Sequence, residues 1–218
     1  MGLLTNLLYP PYARCYCCGH PRLDGMGDHL CVPCRDALQS IRKQEIFFFV
    51  EGVEKVFAPY PYEGAARELI HCMKYECVRD AAKLLGREMA ACLDATGFDA
   101  LVPVPLHPGR LLERGFNQAE LLAQAVGAEK NIPVLLALRR LRETGQQAKL
   151  EKERRIQNME DAFQTCEKVK GMRLLVVDDV CTTGATARAC AMALCKSGAK
   201  SVSLCVAAVT LKTGTADK

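Results

Sequence analysis

The 218-residue chain has no tryptophan, and phenylalanine and tyrosine together supply only 6% of it. A surface that grips single-stranded nucleic acid by stacking bases on aromatic rings is therefore thinly provided for, apart from Phe47 to Phe49 and Tyr60 to Tyr62. No apolar run approaches the roughly 20 residues that a membrane-spanning helix needs. Met1 to Pro11 is apolar but short and lacks a basic leader, so it reads as a packing segment and not as a secretory signal. Repeats and low-complexity tracts are missing. GxxxxGK[ST] occurs nowhere and no GxGxxG follows a strand-like run, which excludes a P-loop and a dinucleotide fingerprint. The net charge of +4 permits an anionic partner without demanding nucleic acid. With half of its residues apolar, the chain has room for one large core plus a small module.

Cysteine, by contrast, is abundant, with 13 residues. Cys15-x2-Cys18-x12-Cys31-x2-Cys34 places two CxxC pairs on either side of a short glycine-containing loop, as four thiolates closing around one tetrahedral ion require. The spacing predicts a structural zinc site in a module over residues 1–44. About 40 residues bury too little surface to fold alone, so metal binding would supply much of that module's folding free energy. A disulfide framework is the chemical alternative. Cys17, His20 and His29 lie near enough to substitute as ligands. So many cysteines without a secretory signal favour a reducing, cytoplasmic setting. Cys72, Cys77, Cys92, Cys166, Cys190, Cys195 and Cys205 read as core or near-core thiols.

Residues 45–218 form the second expected domain. After an amphipathic stretch at Asp36 to Lys43, apolar Ile46 to Val50 and a linker near Glu51 to Lys55, helices and strands alternate. Strands are expected at Val56 to Pro61, Ala100 to Val104, near Val134 to Leu138, at Leu174 to Val177 and at Ser201 to Val209. Helices are expected at Ala65 to Met73, Arg79 to Ala95, Gln118 to Val126 and Ala185 to Lys196. This alternation implies an α/β fold with a mostly parallel sheet.

The most informative string runs from Leu174 to Thr186. Its apolar start is short enough to be a strand covered on both faces, and the C-terminal edge of such a sheet is where ligands bind. Asp178 and Asp179 stand there. Thr182 to Thr186 can turn backbone N–H groups and hydroxyls toward an anion, and the loop feeds a helix N-terminus whose dipole favours phosphate. Carboxylates suit sugar hydroxyls, so together these residues fit a ribose 5-phosphate. A receiver domain also ends its first strand in adjacent aspartates, but the 39 residues after Asp179 are too few for the rest of that sheet. Cys181 sits beside the expected helix N-terminus, which would lower a thiol pKa and open a redox role, although a small packed side chain is the simpler reading.

This arrangement resembles the 5-phosphoribosyl 1-diphosphate (PRPP) motif of type I phosphoribosyltransferases. The resemblance implies that Asp178 and Asp179 hold the ribose hydroxyls, and that Cys181, Thr182, Thr183, Gly184, Ala185 and Thr186 wrap the 5-phosphate. In the segment Asp99 to His107, two prolines stiffen a strand end. Arg110 and Arg114 beyond them could meet a diphosphate through bidentate bonds, as the corresponding loop of that family does, or be surface charges. His107 is a candidate base or a solvated loop residue. The basic stretch from Arg139 to Phe163 lies where a flap would cover the substrate; it could equally track a nucleic-acid backbone or form a solvated helix.

Taken in order, Leu8-Tyr9-Pro10, the cysteine knuckle, Pro103-Val104-Pro105, Arg114-Gly115-Phe116-Asn117, the set Thr144, Gln147, Leu150, Arg155 and Asn158, and the terminal motif resemble the ComF family, related to amidophosphoribosyltransferases. The resemblance implies a cytoplasmic protein with a type I phosphoribosyltransferase-like sheet flanked by helices, linked to DNA uptake in natural transformation. It implies PRPP as ligand, with Mg²⁺ and a structural zinc. Gly2 follows Met1, and 44 residues cannot house a glutaminase domain, so glutamine-dependent amination is not expected. Two functions stay open. One is phosphoribosyl transfer to an unidentified acceptor. The other is a non-catalytic module that binds single-stranded DNA or DNA-uptake proteins, with PRPP as a regulatory ligand; Arg139, Arg140, Arg154 and Arg155 would then carry the DNA contact.

Overall fold

The computed structural model describes residues 14–21, 29–75, 78–93, 97–141 and 162–211. In chain order the elements are α1 (Val32–Ile41), β1 (Val56–Phe57), β2 (Tyr60–Pro61), α2 (Gly64–Tyr75), α3 (Val78–Ala91), β3 (Ala100–Pro103), α4 (Pro108–Arg114), α5 (Gln118–Lys130), β4 (Leu138–Arg140), β5 (Phe163–Thr165), β6 (Arg173–Cys181), α6 (Ala185–Lys196) and β7 (Ser201–Val209). The two longest apolar strands, β6 and β7, pair in parallel along most of their length and form the centre of a five-stranded parallel sheet. β3 lies outside β6, and both β1 and β2 lie outside β7. Burial on both faces explains why these strands read as continuous apolar runs without alternation.

Each face has its own helical cover. On one side Leu69, Ile70 and Met73 of α2, Leu85 and Met89 of α3, and Leu122 and Val126 of α5 pack on Leu101, Leu175 and Val177. On the other, Ala187, Cys190, Ala191 and Leu194 of α6 cover Leu174, Val176, Leu204 and Val206, joined by Ile46, Val50 and the antiparallel β4–β5 pair. Small residues let the helices approach closely: a Cβ on Gly86 of α3 would lie 2.4 Å from Ala125 of α5. No helix among the described residues is long and apolar enough to cross a membrane.

Several elements depart from the sequence reading, among them a split of the strand expected at Val56 to Pro61 and an unanticipated β5. The amphipathic stretch at Asp36 to Lys43 belongs to a helix that starts at Val32 and ends at Ile41; a proline in its first turn is compatible with helix initiation, and this draws Cys34 into the helix. The strand expected near Val134 to Leu138 divides: Val134 makes a single parallel bridge to Leu101, and strand geometry resumes only at β4. β6 continues past Val177 to Cys181 because β7 runs beside it, pairing Asp178 with Val206 and Cys181 with Val209. α4 is unanticipated. His107 caps it by accepting a hydrogen bond from Gly109 N at 3.3 Å, and Gly115, at φ 74°, ends it in the left-handed region.

The two edges of the sheet are both interrupted. β1 and β2 are separated by Ala58 and Pro59, and the Pro59 carbonyl accepts from Lys43 N at 2.9 Å. β3 ends at Pro103, and its outer side is covered where Leu101 N donates to Pro133 O and Leu135 N donates to Leu101 O, each at 2.8 Å.

Candidate functional site

The residues singled out at the end of β6 are held together at the C-terminal edge of the sheet. Successive strand residues point to opposite faces, and Asp178 and Asp179 do so here: Asp179 turns toward α2 and Asp178 toward α6. Asp179 N donates to Asp178 Oδ1 at 2.8 Å, which fixes the Asp178 carboxylate against the strand backbone. The Asp179 carboxylate is nearly sealed from solvent, its side chain 8% exposed, and its Oδ2 lies 2.9 Å from Lys74 Nζ. That contact is an ion pair and not an aligned hydrogen bond, since Oδ2 accepts none among the described residues. Burial, and then the charge of Asp179, push the Asp178 carboxyl up to about 7, against the opposing pull of the Asp179 amide, Lys74 and Arg140. A carboxyl raised in this way holds its proton more readily than an exposed one, and in its protonated form it can donate as well as accept toward a hydroxyl.

Beyond β6 the chain turns through Thr182 and Thr183 to Gly184, which caps α6 at φ 80°. A Cβ on Gly184 would come within 2.8 Å of Val50 Cγ2, so both conformation and packing require glycine there. Ala185 N faces Thr183 Oγ1 at 3.4 Å. Asp178, Cys181 and the loop from Thr182 to Thr186 line a cavity of about 40 Å³ closed below by Leu204 and Val206. Cys181 is the last residue of β6, with its side chain packed in the core. Burial, reinforced by Asp178, pushes its thiol up to about 11, opposite to the lowering expected from the helix N-terminus. The direction agrees with the simpler reading of Cys181 as a small packed side chain.

Arg110 and Arg114 sit one turn apart on α4, a helix with no buried residue. The Arg114 guanidinium lies 5.6 Å over the ring of Tyr75, the last residue of α2. Asn117 ties this region to the sheet: its amide donates to Val104 O at 3.1 Å, and its Oδ1 accepts from Ala119 N at 3.0 Å as the cap of α5. Lys74 and Tyr75 escaped the sequence reading as individual site residues. The available signal is Lys74 four residues after buried Ile70, a charge on the apolar stripe of an amphipathic helix. Leu8-Tyr9-Pro10, Thr144, Gln147, Leu150, Arg154, Arg155 and Asn158 lie outside the described residues, as does Cys77.

At the other end of the chain, the sulfurs of Cys15, Cys18, Cys31 and Cys34 all lie within 4.8 Å of one another, and Cys18 and Cys31 are 3.7 Å apart. Four thiolates around zinc at about 2.3 Å would be separated by roughly 3.8 Å, so the donor set fits the ion and could hold it. The spacing is far from the roughly 2 Å of a disulfide. Burial raises the Cys15 thiol, but the backbone amides of Cys18, Cys31 and Cys17 outweigh it and bring it down to about 7. Cys17 stands apart, pushed up to about 11 chiefly by burial, with its sulfur 3.6 Å from Ala65 O. The knuckle packs on the main body: Cys15, Tyr16 and Leu30 share a buried cluster with α2 and α3, and Tyr16 Oη donates to Asp80 at 3.2 Å.

Residues 111–217, which contain the central strands β6 and β7, the paired carboxylates and the glycine-capped loop, match the family model described as a phosphoribosyl transferase domain. The chain belongs to the ComF family of phosphoribosyltransferase-like proteins. It is 31% identical to the DNA utilization protein YhgH of Escherichia coli K12, over 86% of this chain and 80% of that protein. It is 28% identical to the competence protein ComFC of Bacillus subtilis, over 88% and 82%. The match to YhgH of Salmonella typhi, at 34% identity over 62% of this chain, spans 63% of that relative's length.

Proposed function

We propose that this protein binds PRPP at the end of β6 and transfers its phosphoribosyl group to an acceptor in the service of DNA utilisation. Residues 1–44 would act as the zinc-bearing module of a cytoplasmic protein and residues 45–218 as the catalytic body. One observation carries the reading: within a single strand–loop–helix unit, two carboxylates stand beside a glycine-capped loop that opens a helix N-terminus. Asp178 and Asp179 hold the ribose hydroxyls, and the backbone of Thr182 to Thr186 takes the 5-phosphate. Arg110 and Arg114 meet the diphosphate. When the C1–O bond breaks, the electron pair leaves with the diphosphate, where the arginines stabilise it, and positive charge grows on the ribose beside the carboxylates. The protein's part is positioning and electrostatics, so no dedicated general base is required. Mg²⁺, when bound, would be held by the ligand's own oxygens near the Asp178 and Asp179 carboxylates and would help to neutralise the diphosphate.

The link to DNA rests on the names of the relatives, which are a DNA utilization protein and a competence protein. One feature favours a direct contact with single-stranded DNA as a second reading: Phe47 and Phe49 are 88% and 86% exposed, next to the segment that packs on Gly184. Calorimetric titration of PRPP, with and without Mg²⁺, tests the first reading. Magnesium-dependent binding that disappears in the Asp178→Ala/Asp179→Ala variant is expected. Undiminished binding in that variant, or none in the parent, overturns it. The second reading predicts salt-sensitive binding of single-stranded DNA that weakens in a Phe47→Ala/Phe49→Ala variant.

A further inference from the structure

We propose that Lys74 is a further ligand-binding residue of this site, contacting the diphosphate of PRPP while it holds Asp179 in place. The inference rests on the PRPP reading above and adds a residue that the sequence motif does not contain.

The last turn of α2 touches both ends of the proposed site. Lys74 Nζ lies 2.9 Å from Asp179 Oδ2, at the ribose end. Its neighbour Tyr75 carries the Arg114 guanidinium on its ring, at the diphosphate end. His71, one turn back, braces that ring with its own centroid 4.7 Å away. The last turn of α2 therefore carries one residue paired with the carboxylate that would receive a ribose hydroxyl, and beside it one whose ring meets the arginine that would receive the leaving group. In PRPP those two ends meet at C1, whose bond to the diphosphate is the one that breaks.

The chemistry of the ammonium suits this position. It has three donors and no acceptor, so it can keep Asp179 and still reach a diphosphate oxygen. Its side chain is 20% exposed against 8% for Asp179, so the ion pair opens toward solvent on the lysine side. For Asp179 to accept from a ribose hydroxyl, Lys74 must share or release it, and the strongest acceptor a bound ligand brings is its diphosphate. The Lys74–Asp179 ion pair can thus be shared, with the ligand supplying the second anion.

Ribose 5-phosphate separates this role from a purely structural one, because it keeps the sugar and the 5-phosphate and lacks the diphosphate. Dissociation constants for PRPP and ribose 5-phosphate are measured for the parent, Lys74→Met, Asp179→Asn and the Lys74→Met/Asp179→Asn double variant, with circular dichroism confirming the fold. The double variant removes both charges and so avoids a buried unpaired carboxylate. The expected result is a loss of about tenfold or more in PRPP affinity on replacing Lys74, with less than about twofold change for ribose 5-phosphate, both in the parent and in the Asp179→Asn background. Equal losses for the two ligands, or no further loss from Lys74→Met in the Asp179→Asn background, would show that Lys74 acts only through Asp179 and overturn the proposal alone. A folded parent that binds neither ligand overturns the reading of the site together with it.

Discussion

Replacing Gly184 by alanine offers a quantitative test of how the phosphate loop is built. Two independent costs arise from one added methyl. The residue sits at φ 80°, a conformation that costs a non-glycine residue roughly 1–2 kcal/mol. The new Cβ would also come within 2.8 Å of Val50 Cγ2 and 3.3 Å of Cγ1, and overpacking of this kind costs about 1–3 kcal/mol. Val50 has little room to retreat, because it is 4% exposed and its carbonyl accepts from Val53 N at 3.1 Å. The two costs sum to roughly 2–5 kcal/mol, read as a lower midpoint in urea unfolding at unchanged slope. Trimming the obstacle separates them. Val50→Ala opens space, so in the double variant the steric part vanishes and the conformational part stays. The double-mutant cycle should then show a favourable coupling of about 1–3 kcal/mol. A single-variant loss below about 0.5 kcal/mol, or strictly additive effects, would refute the argument that Gly184 is demanded both by its backbone angle and by Val50.

Two further expectations concern ionisation and metal. The Asp178 carboxyl is raised to about 7 in the folded protein from the ordinary carboxylate range. The folded state therefore holds the extra proton, and the stability that this proton confers is full below about pH 4 and is lost as pH rises toward 7. Asp178→Asn should raise the melting temperature of the ligand-free protein at about pH 8 and do so progressively less toward about pH 5; a gain independent of pH would count against the environment described for Asp178. Cys34→Ser, which removes one of four sulfurs within 4.8 Å of one another, should cut bound zinc, measured by elemental analysis, from one ion per chain. Because the knuckle shares a buried cluster with α2 and α3, chelation should also lower the melting temperature of the whole chain. An unchanged transition after metal removal would sink that expectation.

Much of the architecture is legible in the sequence because its signals are local. α6 and β7 fall where the pattern places them, since an alanine-rich stretch after a glycine loop and an unbroken apolar run admit few alternatives. The placement of Asp178, Asp179 and Thr182 to Thr186 follows from the same strand–loop–helix string. What escapes depends on distant partners. The extension of β6 to Cys181 is imposed by β7, and the split near Val134 by hydrogen bonds to Leu101. α4 is too short and too exposed to carry a hydrophobic period, and only its caps identify it. Lys74 and Asp179 are far apart along the chain and meet only through the fold, a pairing that no local pattern encodes.

The treatment of the sheet's two margins bears on how other molecules can engage this protein. An open parallel sheet presents rows of free amides and carbonyls to which an extended peptide can add as another strand. Here one margin is cut into two-residue pieces around Pro59, a residue without an amide hydrogen, and the other ends at Pro103 with Leu101 already occupied by Pro133 and Leu135. Backbone zippering onto this sheet is thereby blocked at both sides. Recognition of a partner protein at this sheet is left to side-chain surfaces, and the specificity of such an encounter is written in exposed residues rather than in the main chain.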